Sequence, residues 1–103
     1  MLNRLDHAVK WAKHRRIERR STIGKIYIIQ SGEYTKVGIA RMVGHRLSGL
    51  QVGNPIEIQL LASWESNKAE LEEHRIHHHL RQWHVRGEWF KLPYDVLEGL
   101  LGI

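Results

Sequence analysis

Residues 25–39 read KIYIIQSGEYTKVGI, and this stretch is the strongest indication of the fold. Both of its halves are rich in β-branched and aromatic residues, which favour β-strands. Ser31 and Gly32 form a turn signal between the halves, so the pattern predicts a hairpin with strands over 25–30 and 34–39. Strands this close in sequence indicate a small sheet, mainly antiparallel, against which helices pack.

The rest of the chain predicts the elements that surround this hairpin. Apolar spacing, alternation and end signals give a helix over 41–50, a third strand over 56–64, a long helix from about Ser66 to Trp83 and a last helix over 94–101. The sequence therefore predicts an α+β domain, with a small three-stranded sheet flanked by helices.

The excess positive charge of the chain lies in its first twenty residues. The 103 residues carry a net charge of +5, and residues 1–20 alone hold seven basic and two acidic side chains. Apolar residues recur at helical spacing over 2–19, which predicts an amphipathic helix with a basic face. Such a face contacts nucleic acid phosphates, and a solvated surface helix is the alternative. The basic residues predicted to bind nucleic acid are Lys10, Lys13, Arg15, Arg16, Arg19 and Arg20.

Length and composition predict one folded domain with a basic extension. We expect the extra N-terminal helix over 1–22 and the domain over 23–103. The apolar stripe of that helix is suited to a protein partner or to a homodimer. The sequence has no cysteine and no apolar run of about 18 residues, so disulfides, thiolate zinc sites and a membrane span are excluded. A cytoplasmic location without a membrane partner is expected.

The last third of the chain holds its densest group of ionisable side chains. Residues 70–90 read ELEEHRIHHHLRQWHVRGEWF. Glu73 and His77 are four residues apart and share a helix face, where an acid and an imidazole can hold a divalent metal ion or a water. His74 and His78 have the spacing of two zinc ligands, but the H-E-x-x-H pattern is absent. Each of these residues by itself is also typical of a solvated helix face.

Three short motifs lie at residues 26–39, 46–55 and 73–90. In this order and spacing they resemble those of the GIY-YIG nuclease superfamily. Residues 26–39 contain counterparts of its paired strand motifs, and residues 46–55 are similar to its arginine helix and the loop that follows. Glu73, His77 and the sequence GEWF at 87–90 are similar to the metal-binding glutamate helix and to the ending of one branch. That branch contains small phage and bacterial proteins and has a K-I-G-like second motif.

The resemblance covers about residues 24–92 and departs from the family pattern in two places. The first glycine is displaced to Gly24, three residues before Tyr27. Lys36 stands where most members have the second tyrosine, which removes one candidate proton carrier.

The resemblance implies a cytoplasmic protein of a bacterial host or a phage-infected cell.

The activity that the resemblance implies is metal-dependent hydrolysis of DNA phosphodiester bonds. Glu73 would hold one divalent ion, Mg²⁺ or Mn²⁺, and Arg46 would stabilise the scissile phosphate. Tyr27 or Lys36 would activate the attacking water. A free tyrosine has a pKa of ~10, and the charge of Lys36 is expected to lower the pKa of Tyr27. His77 and His45 are further candidates for proton transfer or water positioning. Glu88 is a candidate for an additional acid of the site.

Two other functions are open on the sequence alone. A nucleic-acid-binding module of similar shape would not cut, or would cut only when a partner delivers it to DNA. An interaction domain with a decayed site is the second. The intact set of polar residues at positions 27, 36, 46 and 73 favours the endonuclease.

Overall fold

The structure, a computed structural model, describes residues 24–102, in which helices pack on both faces of one sheet. The elements are β1 (Gly24–Ser31), β2 (Tyr34–Ala40), α1 (Val43–Gln51), β3 (Ile58–Ser66), α2 (Ala69–His79), β4 (His84–Arg86), β5 (Trp89–Phe90) and α3 (Tyr94–Leu101). The predicted helix over 1–22, with the six basic residues predicted to bind nucleic acid, lies outside the described residues, so that helix and the domain boundary remain predictions.

The sheet has five antiparallel strands in the order β3-β1-β2-β5-β4, and the prediction of three strands was wrong. The hairpin forms where the sequence predicts it, and β3 pairs with the other side of β1. The additional strands come from residues 84–90: β5 pairs with the free edge of β2, and β4 pairs with β5. Strands of three and two residues carry no periodic signal, so only this long-range pairing defines them.

The side chains of β1 alternate between two apolar layers, as the pleat of a strand requires. Ile26 and Ile28 pack on one face, in a cluster with Ile76 of α2. Tyr27 and Ile29 pack on the other face, with α1 against them. Side chains of α1 and α2 therefore lie on opposite faces of the sheet and can meet only around one of its edges.

The long helix is shorter than predicted. α2 ends at His79, and a 3₁₀ turn over Arg81–Trp83 replaces its expected last turn. The carbonyl of Trp83 accepts a hydrogen bond from the amide of Lys91 at 3.0 Å, which ties this segment to the end of β5. No helix among residues 24–102 is both long and apolar enough to cross a membrane.

Candidate active site

Tyr27 lies at the centre of the layer that faces α1. Its side chain is fully buried, and Gly38 is its partner on β2. A Cβ atom at position 38 would lie 2.5 Å from the Tyr27 hydroxyl oxygen and 2.6 Å from Cζ. The tyrosine ring therefore occupies the space that any other residue at position 38 would need. The sequence predicts no separate role for Gly38, because the register that pairs it with Tyr27 depends on the exact position of the turn.

The Tyr27 hydroxyl is buried and has no hydrogen-bond partner among the described residues. The guanidinium of Arg46 is close enough to lower the pKa of Tyr27, but the contact lacks good hydrogen-bond geometry. Burial raises that pKa above its ordinary value, and Lys36 opposes the shift as expected without overcoming it. A buried hydroxyl without a partner costs about 1–3 kcal/mol, which a hydrogen bond to a water or to a substrate oxygen at this position would recover.

Lys36 and Glu88 form an ion pair across the edge of β2. The Lys36 Nζ lies 2.6 Å from Oε1 of Glu88 and 5.8 Å from the ring centroid of Trp89. Gly87 has a φ of 54°, a left-handed conformation that favours glycine, and its turn carries the chain from β4 into β5. The carbonyl of Glu88 then accepts a hydrogen bond from the amide of Val37 at 3.3 Å, which fixes Glu88 beside β2.

Glu73 approaches the same carboxylate from the opposite layer. It is half-buried on α2, and its side chain lies within hydrogen-bonding reach of Glu88. Burial, followed by the charge of Glu88, raises the pKa of Glu73 to about 8, and Lys36 counters this only in part. The adjacent Glu72 points elsewhere, since its carboxylate accepts a hydrogen bond from Nε1 of Trp64 at 3.2 Å. Glu73 and Glu88 therefore form a pair of carboxyl groups that an added positive charge would stabilise.

His77 lies one turn after Glu73 and fixes α2 to β2. Its Nε2 is 2.7 Å from the carbonyl oxygen of Val37. A carbonyl only accepts, so Nε2 carries the proton and donates. The imidazole also packs against Phe90, with ring centroids 5.2 Å apart. Burial lowers the pKa of His77, which the hydrogen bond to Val37 only partly opposes, and the ring is neutral at pH 7.

Arg46 and His45 occupy neighbouring positions on α1 but differ in what they reach. Both are exposed, and only Arg46 acts on Tyr27. The side chain of His45 has no hydrogen bond, ion pair or ring contact with any residue of the part that the structure describes. The predicted residues that come together at the edge of β2 are Tyr27, Lys36, Arg46, Glu73, His77 and Glu88.

The carboxyl pair suits an ion that needs few protein ligands. Within residues 24–102, no group of three or more His, Asp or Glu side chains is placed to hold a metal ion together. Mg²⁺ is bound through one or two carboxylates, keeps several waters and takes phosphate oxygens as further ligands. The raised pKa of Glu73 marks a carboxylate that lacks a full positive partner. Glu73 and Glu88 therefore fit the ion that the sequence motifs imply.

Glu88 was predicted only as a secondary acid, because the signal for its position is not local. It is 52 residues from Lys36 in the chain, and the two meet through the pairing of β5 with β2. The sequence GEWF predicts the turn, but it does not predict which strand the residues after the turn pair with.

Comparison with known proteins gives a match to a protein family. The family model described as the T5orf172 domain matches residues 24–102, which is most of the chain and includes every residue of the site. No curated protein and no solved structure shows a significant match.

Proposed function

This chain belongs to the T5orf172 domain family, a phage-associated family of nuclease-like or DNA-binding domains, and from that premise we propose that it is a metal-dependent endonuclease. It hydrolyses DNA phosphodiester bonds at the edge of β2, as the GIY-YIG nucleases that its motifs resemble would do. The observation that carries this proposal is the convergence of four side chains from β1, β2, α1 and α2. These side chains are Tyr27, Lys36, Arg46 and Glu73.

Arg46 binds the scissile phosphate. Its exposed, planar guanidinium can donate two parallel hydrogen bonds to phosphate oxygens, which a lysine cannot do. Lys36, held in place by Glu88 at 2.6 Å, adds a second positive group beside it. These fixed charges stabilise the negative charge that develops on the phosphoryl oxygens.

Glu73 would hold the divalent ion, Mg²⁺ or Mn²⁺, with Glu88 beside it. When bound, such an ion neutralises phosphate oxygens and lowers the pKa of a coordinated water. Glu73 is only half-buried, so the site is accessible to an ion and to a phosphate. His77 keeps α2 against β2 and so holds Glu73 at this edge, which makes it a positioning residue.

Tyr27 orients the attacking water. With a pKa above its ordinary value of 10.0, the hydroxyl is protonated at neutral pH and is better suited to orient the water than to remove its proton. Its hydroxyl is also a buried polar group that lacks a partner within the described part of the chain. Tyr27→Phe should therefore reduce cleavage by about 10²-fold or more while the free energy of unfolding is unchanged or higher.

The proposal is tested by cleavage of supercoiled plasmid DNA with Mg²⁺ or Mn²⁺. The wild-type protein should nick or linearise the plasmid, and Glu73→Gln should abolish this. Glu72→Gln is the matched control: it changes the adjacent acid, retains an acceptor for Trp64 and should cut like the wild type. Equal cutting by Glu73→Gln would exclude the proposed site. DNA binding without any cleavage by the wild type would instead support the non-cleaving or partner-dependent binding module.

A further inference from the structure

A surface groove lies beside the candidate active site. It has a volume of about 460 Å³, and its lining includes the rings of Tyr34 and Trp89 and the side chains of Ile56, Val85 and Arg86. Tyr34, Ile56 and Val85 are 39%, 50% and 52% exposed, so large apolar side chains are open to solvent along one depression. Single exposed apolar residues are ordinary, but a grouped set next to a site marks a binding surface.

Trp89 joins this aromatic groove to the active site. Its ring lines the groove and also lies 5.8 Å from Nζ of Lys36. Tyr34 stands two residues before Lys36 on the same face of β2, a separation of about 7 Å along the strand. A DNA strand whose phosphate lies at the active site therefore brings a neighbouring base within reach of the groove.

The charge of the groove suits a nucleotide. Arg86 is exposed at the groove, and its side chain makes no hydrogen bond or ion pair with any residue in the part of the chain that the structure describes. Its guanidinium can therefore bind a phosphate or the edge of a base. Aromatic rings stack on the face of any base, which gives affinity without sequence preference. The volume is within the range of about 300–1,000 Å³ that is usual for ligand pockets.

We infer that the aromatic groove binds a nucleobase unstacked from the DNA strand next to the scissile phosphate. This inference rests on the proposed function and names its substrate class. A base within an intact duplex cannot enter such a groove, so the substrate is single-stranded DNA or duplex DNA with an unpaired or displaced base, as in the locally unwound stretches of a supercoiled plasmid. Tyr34 and Trp89 provide the stacking surface, and Arg86 provides the charge at the rim.

The test measures the Kd of a fluorescent oligothymidine by anisotropy at one fixed salt concentration. The protein carries Glu73→Gln, so the DNA is not cut. Adding Tyr34→Ala should raise the Kd about fivefold or more, whereas Tyr34→Phe keeps the stacking ring and should restore it. Tyr94→Ala is the matched control, because Tyr94 is an exposed tyrosine on α3 that does not line the groove, and it should leave the Kd unchanged.

A second arm uses a blunt duplex that contains the same thymine tract. Tyr34→Ala should weaken binding of the single strand more than binding of the duplex, with thermal unfolding confirming that each variant is folded. Equal Kd values for Tyr34→Ala and Tyr94→Ala would overturn the inference and would favour a protein segment, in place of a base, as the ligand of the groove. Equal weakening of both DNA forms would overturn it as well. Neither result affects the cleavage test of Glu73→Gln against Glu72→Gln, so failure of the groove and failure of the nuclease proposal are distinguishable.

Discussion

Tyr27 and Glu73 each place a polar group where it is costly for the fold. The hydroxyl of Tyr27 is buried without a partner among the described residues, and the carboxyl group of Glu73 lies beside that of Glu88. Lys36 offsets part of this cost through its ion pair with Glu88. Binding sites commonly keep such arrangements because a ligand, and not the protein, completes them.

Glu73→Gln should stabilise the protein increasingly as the pH rises. The folded-state pKa of Glu73, about 8, exceeds the ordinary value of 4.5, so the folded chain binds more protons between these values. The contribution of Glu73 to stability is therefore complete below pH 4.5 and is lost as the pH rises through about 8. Allowing for solvent screening, the variant should be more stable by about 1–2 kcal/mol at the upper end of this range.

The measurement is thermal unfolding of both proteins across this pH range without divalent ions, with Glu72→Gln as the control. Adding Mg²⁺ should narrow the difference in Tm between Glu73→Gln and the wild type, because only the wild type binds the ion in its folded state. A difference in Tm between the two proteins that does not vary with pH would show that the pKa of Glu73 is not raised in the folded protein.

Among the elements, the hairpin of β1 and β2 positions the site, and the sequence predicts it well. Its strands follow from residues 25–39 alone, but the pairing of Tyr27 with Gly38 depends on the turn, which lies at Gly32 and Glu33 and not at the predicted Ser31 and Gly32. The strands β4 and β5 could not be predicted in this way, because their pairing depends on the free edge of β2. The position of Glu88 depends on the same pairing, which is why the sequence indicated its chemistry but not its partner.

Gly38→Ala should disrupt the site through the hairpin. The new Cβ would lie 2.5 Å from the hydroxyl oxygen of Tyr27, whose ring is fully buried and has little room to move. We expect a loss of about 1–3 kcal/mol in the free energy of unfolding, together with loss of cleavage.

The control for that substitution is Gly49→Ala on α1, where an added Cβ meets nothing within 4 Å. It should raise stability by about 0.5–1 kcal/mol, since alanine favours a helix. Urea denaturation measures both variants. A neutral effect of Gly38→Ala would mean that Tyr27 does not cross β2 in this way.

His77 connects α2 to β2, and His77→Gln separates this structural role from proton transfer. The amide nitrogen of glutamine can donate to the carbonyl of Val37 as Nε2 does, so cleavage should stay within a few-fold of the wild type. His77→Ala leaves that carbonyl without the imidazole donor and should cost about 1–3 kcal/mol. Cleavage rates and urea denaturation measure the two effects. A folded but inactive His77→Gln would assign His77 to proton transfer.

At the scale of the whole molecule, the charge of the chain divides into two parts. Residues 1–20 hold the net charge of +5, and residues 21–103 hold as many acidic as basic side chains. The active site therefore brings little excess charge of its own, and we expect the N-terminal segment to supply most of the affinity for DNA that is independent of sequence.

Replacing six of the seven basic residues of that segment by glutamine should flatten the salt dependence of DNA binding. The changed residues are Lys10, Lys13, Arg15, Arg16, Arg19 and Arg20. The slope of log Kd against log salt concentration should fall by about 0.9 for each duplex phosphate contact that is lost. Anisotropy titrations at several salt concentrations measure the slope. An unchanged slope would show that the segment does not contact DNA and would favour its use for a partner or a homodimer.

Anomalous diffraction from crystals of the wild-type protein with Mn²⁺ shows directly whether Glu73 and Glu88 hold a metal ion. We expect a manganese peak at the carboxylates of Glu73 and Glu88, beside the hydroxyl of Tyr27 and the guanidinium of Arg46. Crystals of Glu73→Gln grown in the same way should lack this peak. A manganese site away from Glu73, or one that persists in Glu73→Gln, would exclude Glu73 as the metal ligand.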